Sequence, residues 1–209
     1  MNKNVPNILT IVRIVLTPII IALFLAPIPN GIGIFVALGL YVLGCLTDFL
    51  DGYIARKYNL ISDFGKFMDQ IADKFITTTA MILVLFTGLI KPIWLATAML
   101  LIVVLRDILV SGIRMFAASK GIVIAADIFG KIKSFFLDIG SMILMFYIGL
   151  YSLLGGELSK LGAMPIAYVN YFGLALMIIG SVLALVSCIN YSINAVKALK
   201  EIKTSKEEK

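Results

Sequence analysis

Four aspartates stand in two closely spaced pairs in the first half of the chain. Asp48 and Asp51 are three residues apart, and Asp69 and Asp73 are four residues apart. On a helix, either spacing projects both carboxylates from one face. Only eight residues separate Arg56 from Gly65, so the two helices should be antiparallel neighbours. We therefore predict that all four carboxylates converge on one spot.

Four ionised carboxylates in one place would repel one another strongly, and a bound cation relieves that repulsion. The chain contains no histidine, which excludes a histidine base and a histidine-ligated zinc. Oxygen ligands alone favour Mg²⁺ or Mn²⁺, with Ca²⁺ as a possible occupant, and two ions relieve the repulsion better than one. Such a metal pair suits reactions at a pyrophosphate. The alternative is a structural polar cluster between two helices.

Two residues beside the aspartates favour a ligand site. Gly52 follows Asp51 directly and leaves space where a ligand could approach the helix. Arg56 lies five residues beyond Asp51, and its planar guanidinium can bind a phosphate with two parallel hydrogen bonds. In the structural alternative, Arg56 is only an anchor at the membrane surface.

The composition indicates that helices within a membrane position these residues. The chain has 209 residues, of which 61% are hydrophobic and 14% charged, whereas soluble domains carry about 25% charged residues. A span of the bilayer core needs about 20 apolar residues. We predict an all-α, polytopic membrane protein that forms a single domain over 1–209, with the metal site on the cytoplasmic side. The six predicted transmembrane helices are 8–27, 31–54, 67–90, 92–116, 131–154 and 166–195.

The distribution of cations predicts the orientation. The net charge is +6, which in a membrane protein indicates topology rather than nucleic-acid binding. Placing 27–31, 90–92 and 155–166 outside leaves only Lys91 and Lys160 on that side. Both termini are then cytoplasmic, with a flexible tail from about 197 to 209. Pro18 interrupts the first span, so 3–14 should form a short interfacial helix.

The aspartate segment resembles the signature of the CDP-alcohol phosphotransferase family. The matching run is Asp48-x2-Asp51-Gly52-x2-Ala55-Arg56-x8-Gly65-x3-Asp69-x3-Asp73. The resemblance implies six membrane helices, a homodimer and metal binding by all four aspartates. It also implies that Asp73, the aspartate furthest along its helix, is the general base. The residues that it implies for CDP-diacylglycerol binding are Asn7, Thr10, Asp48, Gly52, Arg56 and Ser62.

Three further segments are similar to bacterial phosphatidylglycerophosphate synthases. They are Asn4-Val-Pro6-Asn7-Ile-Leu-Thr10-Ile-Val-Arg13, Arg106-Asp107-x6-Arg114 and Gly130-Lys131-Ile-Lys133-Ser134. A group of cations beside a metal site indicates a second anionic group, such as the phosphate of glycerol 3-phosphate. We therefore expect the acceptor phosphate to be bound by Arg106, Arg114, Lys131 and Lys133.

The two lysines of that group stand two residues apart, so only one of them can point fully into a site. Asp107 and Asp138 are the expected ion-pair partners of these cations within the membrane. The alternative for Arg106 and Lys131 is that their side chains extend along the helices to lipid phosphates.

Two rival functions remain open at this point. The resemblance implies the transfer of a phosphatidyl group from CDP-diacylglycerol to glycerol 3-phosphate. The same transfer could use another acceptor, namely inositol phosphate, serine or phosphatidylglycerol, and only the first would need the cations. A cation transporter could instead use the aspartates as its ion path. That function predicts carboxylates near the middle of the bilayer and repeated helices, and the sequence contains no evident repeat.

Overall fold

The computed structural model describes residues 5–57, 63–119, 128–155 and 163–207. Side chains are described within 8–49, at 68, and within 71–119, 128–155 and 168–198. Across these ranges, all of the regular secondary structure is helical, as the composition predicts. A short 3₁₀ turn, Pro29–Gly31, joins the first two helices. The six helices are α1 (Val5–Leu25), α2 (Ile32–Lys57), α3 (Asp63–Phe86), α4 (Ile93–Ser119), α5 (Ile128–Leu153) and α6 (Ala163–Glu207).

Five of these helices are long and apolar enough to cross a membrane, namely α1, α2, α4, α5 and α6. Among the described residues, α3 is not one of them. The first half of α3 contains Asp63, Lys66, Asp69, Asp73 and Lys74, which lower its hydropathy. The membrane character of the chain is therefore confirmed, and the sixth span stays a prediction.

Three features of the helices differ from the sequence predictions. The connection left between the predicted spans 31–54 and 67–90 is shorter, because α2 continues to Lys57 and α3 begins at Asp63. Pro18 lies inside one helix that continues from Val5 to Leu25, so a separate interfacial helix at 3–14 is not confirmed. The last helix continues to Glu207, although the sequence predicted a flexible tail from about 197. The backbone there is helical, and the flexibility stays a prediction.

The packing places α5 in the middle of the helices. α5 contacts α6 over most of its length and also packs against α2 and α3. α1 lies against α2 and α3, while α4 packs against α6 and α3. The core between them contains large buried side chains, among them Tyr41, Met81, Leu144 and Met145. Helices that are distant in the sequence are thereby brought together around α3.

Glycines allow α5 and α6 to approach closely. A Cβ atom added at Gly140 would lie 2.8 Å from the Cγ of Met177 and 3.1 Å from the carbonyl oxygen of Gly173. A Cβ added at Gly173 would lie 2.8 Å from Leu144. Helices in membranes commonly associate through small residues, since backbones in contact gain van der Waals energy.

Gly140→Leu should therefore destabilise the protein, because the new side chain meets backbone atoms of α6 that cannot rotate away. Overpacking of this kind costs about 1–3 kcal/mol. The matched control is Gly39→Leu, since a Cβ at Gly39 meets nothing within 4 Å. Thermal unfolding in detergent micelles measures both variants. Equal unfolding temperatures would contradict the close α5–α6 contact.

Candidate active site

An ion pair between α1 and α2 positions the first of the predicted aspartates. The guanidinium of Arg13 donates a hydrogen bond of 2.5 Å to Oδ1 of Asp48. The Arg13 side chain is 0% exposed, whereas that of Asp48 is 40% exposed. A guanidinium buried among apolar helices needs such a partner. Asp48 is thus held by Arg13, while part of its side chain stays exposed.

The surroundings of Arg13 explain how α1 fits against this site. Thr10 is buried one turn before Arg13, and Thr17 donates a 3.0 Å hydrogen bond to the Arg13 carbonyl one turn later. Gly44 lies one turn before Asp48, and a Cβ there would lie 3.9 Å from Arg13 Cγ. Sequence reasoning did not assign Arg13 to the site. The available signal was an arginine in the middle of an apolar segment.

Asp73, the predicted base, lies on α3 where the charged groups of several helices meet. It lines a polar cavity of about 160 Å³. The charges that act on it are those of Asp48, Asp138, Arg13 and Lys133. Asp48 and Asp73, which the sequence predicts to act together, therefore lie within electrostatic reach of each other.

Asp138 on α5 joins three helices beside Asp73. Its Oδ1 accepts a 2.9 Å hydrogen bond from the hydroxyl of Tyr41 on α2 and a 2.8 Å bond from Thr77 on α3. The sequence predicted an ion-pair partner for the cations, but the structure places two hydroxyl donors here instead. Asp138 and Lys133 are five residues apart and point in different directions around α5. Because Thr77 is one turn beyond Asp73, this contact orients the face of α3 that carries Asp73.

The polar cavity beside Asp73 is rich in cations. The residues that line it are Asp73, Lys74, Arg106, Asp107, Val110, Ser111, Arg114, Gly130, Lys133 and Ser134. Four cationic side chains therefore face two carboxylates, which leaves two positive charges in excess. Three of the four residues predicted for the acceptor phosphate, Arg106, Arg114 and Lys133, lie in this one cavity.

Asp107 organises the cations of the cavity. Its Oδ1 accepts hydrogen bonds of 2.5 Å from Lys133 and 2.8 Å from Arg106, so its predicted role as an ion-pair partner is confirmed. The guanidinium of Arg106 also donates a 2.5 Å bond to Ser187 on α6. Lys133 is buried, whereas Lys131 is exposed and does not line the cavity. Of the two lysines, Lys133 therefore lies in the cavity and Lys131 lies outside it, and the part of each in binding the acceptor phosphate stays a prediction.

Two further contacts in the cavity were not predicted. Lys74 directly follows Asp73 in the sequence and reaches across to α4, where its ammonium donates to the hydroxyl of Ser111. Arg114 lies 5.8 Å from the ring centre of Tyr191 and donates a weak 3.4 Å hydrogen bond to its hydroxyl. Asp107 pairs with Arg106 and Lys133 rather than with Arg114. An anion can therefore bind the Arg114 guanidinium without breaking an ion pair of Asp107.

The remaining residues predicted to bind metal or CDP-diacylglycerol lie outside the described side chains. These residues are Asn7, Asp51, Gly52, Arg56, Ser62 and Asp69. Among the side chains that are described, no group of three or more potential metal ligands occurs. The convergence of all four aspartates therefore stays a prediction.

Comparison with known proteins gives consistent matches. The sequence profile of the family described as CDP-alcohol phosphatidyltransferase matches residues 3–186. This range includes both aspartate pairs and the cations of α4 and α5. The matched family description agrees with the resemblance that the aspartate run carries.

Three curated relatives carry the name CDP-diacylglycerol--glycerol-3-phosphate 3-phosphatidyltransferase. The protein of Bacillus subtilis (strain 168) is 36% identical over 63% of this chain and 70% of its own length. That of Rickettsia prowazekii (strain Madrid E) is 41% identical over 64% of this chain and 70% of its own length. The Cereibacter sphaeroides protein is 30% identical over 97% of this chain and 100% of its own length. The similarity to this third relative thus extends over nearly the whole chain.

Arg13→Met should impair the site, because it removes the guanidinium that holds Asp48. A hydrogen bond to a charged group contributes about 1.5–3 kcal/mol, and we expect about 1–2 kcal/mol because Asp48 is partly exposed. The expected loss in catalytic rate is roughly tenfold or more. Arg13→Lys retains the charge without the planar guanidinium, so its catalytic rate should lie between those of the wild type and Arg13→Met. Wild-type rates in Arg13→Met would show that the ion pair does not serve the site.

Proposed function

Because this chain belongs to the CDP-alcohol phosphatidyltransferase family, we propose that it transfers the phosphatidyl group of CDP-diacylglycerol to sn-glycerol 3-phosphate. The products are phosphatidylglycerol phosphate and CMP. The observation that carries the choice of acceptor is the cavity beside Asp73, which has two positive charges in excess. The names of the relatives support the same acceptor.

The excess charge of the cavity matches the phosphate monoester of the acceptor, which carries close to two negative charges at neutral pH. Serine brings no phosphate, and phosphatidylglycerol brings only a diester with a single charge. Arg114 and Lys133 can donate to phosphate oxygens with charge-assisted hydrogen bonds, which are the strong ones. Inositol phosphate would satisfy the same cations, so it remains the rival that the charge argument does not separate.

Asp48, Asp51, Asp69 and Asp73 are the residues that would hold divalent metal, and members of this family are generally metal-dependent. The two described members of the set, Asp48 and Asp73, offer carboxylate oxygens, which suit a hard cation. The Asp48 side chain is 40% exposed. Asp51 and Asp69 lie about one helical turn away from them on α2 and α3. Two Mg²⁺ or Mn²⁺ ions would neutralise the pyrophosphate and stabilise the leaving group.

Asp73 serves as the general base of the proposed reaction. It lines the cavity that holds the acceptor phosphate, so a bound glycerol 3-phosphate can direct its 1-hydroxyl toward this carboxylate. The hydroxyl proton passes to Asp73 as the oxygen forms a bond to the phosphatidyl phosphorus. The anhydride bond to CMP breaks, and CMP departs with the electron pair. Arg56 is the residue of this chain proposed to bind the departing phosphate.

We also propose that α3 completes six membrane spans, with both termini and the active site on the cytoplasmic side. The 24 residues of α3 extend about 36 Å at 1.5 Å per residue, enough to cross a core of about 30 Å. The charged half of α3 then lies toward the cytoplasm, beside the cations of α4 and α5. A homodimer in the cytoplasmic membrane is proposed from the family resemblance.

A panel of acceptors tests the proposed function. Purified protein in mixed micelles receives labelled CDP-diacylglycerol together with glycerol 3-phosphate, inositol phosphate, serine or phosphatidylglycerol. CMP release should require glycerol 3-phosphate, and the lipid product should carry a phosphate monoester. Release with serine but not with glycerol 3-phosphate would refute the choice of acceptor.

Asp73→Asn should reduce CMP release by at least the 10²–10⁴-fold that general base catalysis typically contributes. An amide cannot accept the hydroxyl proton, although it retains the size of the carboxylate. Asp138→Asn is the comparison, because it removes a neighbouring buried carboxylate while its amide oxygen can still accept hydrogen bonds from Tyr41 and Thr77, so CMP release should fall far less. Robust turnover by Asp73→Asn would refute the assignment of the base.

Arg114→Gln should raise the KM for glycerol 3-phosphate by roughly 10–100-fold, the loss expected for a hydrogen bond to a charged group. The KM for CDP-diacylglycerol should change far less. Lys131→Gln provides the control, because that side chain is a nearby exposed cation outside the cavity. An equal increase for both substrates would mean that Arg114 does not recognise the acceptor.

A further inference from the structure

A second cavity, of about 440 Å³, lies beside the polar one, between α3 and α4. Lys74, Asp107 and Ser111 line both cavities, so the two share a wall. Away from these three residues the second cavity is mostly apolar. We call it the α3–α4 cleft; the residues that line it are Lys74, Thr78, Val104, Asp107, Ile108, Ser111, Gly112 and Met115.

The outer side of the α3–α4 cleft faces the surroundings of the helices. Ile108 is 64% exposed and Met115 is 74% exposed, and both line the cleft. On a helix that crosses a membrane, side chains of this kind contact lipid. The cleft therefore lies between the surroundings of the helices and the cationic cavity, which it adjoins along Lys74, Asp107 and Ser111.

Lys74 marks the boundary between the two environments. Its ammonium donates to Ser111 and approaches the carbonyl oxygen of Asp107 at 3.5 Å. Its apolar stem can lie along the cleft while the charged end stays at the polar cavity. The polar cavity and the cleft together thus present a cationic end and an apolar end. This arrangement matches a lipid that has an anionic head group and an apolar chain.

We propose that the α3–α4 cleft binds the acyl chain of a lipid phosphate monoester of the lysophosphatidate class, whose phosphate occupies the cationic cavity. This inference rests on the proposed function, because it assigns that cavity to a phosphate monoester. The cleft volume lies within the roughly 300–1,000 Å³ typical of ligand sites. The excess of two positive charges selects a monoester over a phosphodiester or a zwitterionic head group.

The chemistry makes such a lipid an inhibitor. A 1-acyl glycerol 3-phosphate carries the phosphate of the acceptor, but its 1-hydroxyl is already esterified. Bound in this way, it offers Asp73 no proton from that position, and no phosphatidyl transfer to that oxygen follows. The lipid should compete with glycerol 3-phosphate for the cavity and leave the binding of CDP-diacylglycerol unchanged.

Photo-cross-linking tests the binding directly, without turnover. A lysophosphatidate with a photoreactive acyl chain is irradiated with the purified protein in micelles, and labelled peptides are identified. Labelling should concentrate on α3 and α4, and excess glycerol 3-phosphate or inorganic phosphate should reduce it at least tenfold. A matched photoreactive lysophosphatidylcholine should not be displaced by phosphate. Labelling that phosphate does not displace would overturn the inference.

Steady-state kinetics gives the second arm of the test. Lysophosphatidate should raise the apparent KM for glycerol 3-phosphate without lowering the apparent kcat. Inorganic phosphate should do the same at higher concentration, since it lacks the chain. Inhibition that is competitive with CDP-diacylglycerol would mean that the cleft holds a donor chain, and this result would overturn the proposal.

Variants that fill the cleft separate the chain from the phosphate. Gly112→Leu is suitable because a Cβ there meets nothing within 4 Å, and Thr78→Phe fills the cleft from α3. Each should raise the ratio of the inhibition constants of lysophosphatidate and inorganic phosphate at least tenfold. Gly39→Leu, on α2, should retain the wild-type ratio. An unchanged ratio in both cleft variants would contradict the proposal.

The outcomes also distinguish this inference from the proposed function. Normal turnover of glycerol 3-phosphate without lysophosphatidate competition would overturn only the inference. If turnover requires serine instead, the proposed function fails, and the displacement of photo-labelling by phosphate still decides whether the cleft holds a phosphate lipid. A cross-linked dimer joined through Ile108 and Met115 in place of lipid labelling would assign the cleft to a second copy of the chain.

Discussion

Charge compensation within a membrane bundle is the constraint on which this structure depends. An ionised side chain among apolar helices is costly unless an opposite charge or a hydrogen bond meets it. Arg13 meets Asp48, and Lys133 meets Asp107. Each of these contacts joins residues on different helices, so the same contacts that make the charges tolerable also fix the positions of the helices. The site is therefore built from the interactions that allow it to exist in a membrane.

The compensated charges fall into two groups that meet at Asp73. α1 and α2 supply Arg13 and Asp48, while α4 and α5 supply the cations around Asp107. α3 lies against both groups. Its position relative to α2 and α5 is fixed by the hydrogen bonds that Asp138 accepts from the hydroxyls of Tyr41 and Thr77. The donor and the acceptor of a transfer reaction need to approach each other within a few ångströms. A carboxylate on the shared helix is well placed to act on both.

Local patterns predicted much of the fold, and long-range contacts limited the rest. Long apolar runs and their turns predicted six helices, and three of the four cations predicted for the acceptor phosphate lie together in the cavity beside Asp73. The Arg13–Asp48 pair joins residues 35 apart in sequence, and no local pattern encodes that distance. The choice of Lys133 over Lys131 and the hydroxyl partners of Asp138 depend on the rotation of α5 against its neighbours. That rotation is set by packing, including the glycine contacts with α6.

The central claim is that the cationic cavity and the aspartates act on two substrates in one metal-dependent reaction. The most direct measurement is the incorporation of radiolabelled glycerol 3-phosphate into lipid by the purified protein with CDP-diacylglycerol, with and without a chelator of divalent cations. Incorporation should accompany CMP release mole for mole and should stop when the chelator is added. Lipid labelling that persists in excess chelator, or CMP release without any labelled lipid, would contradict it.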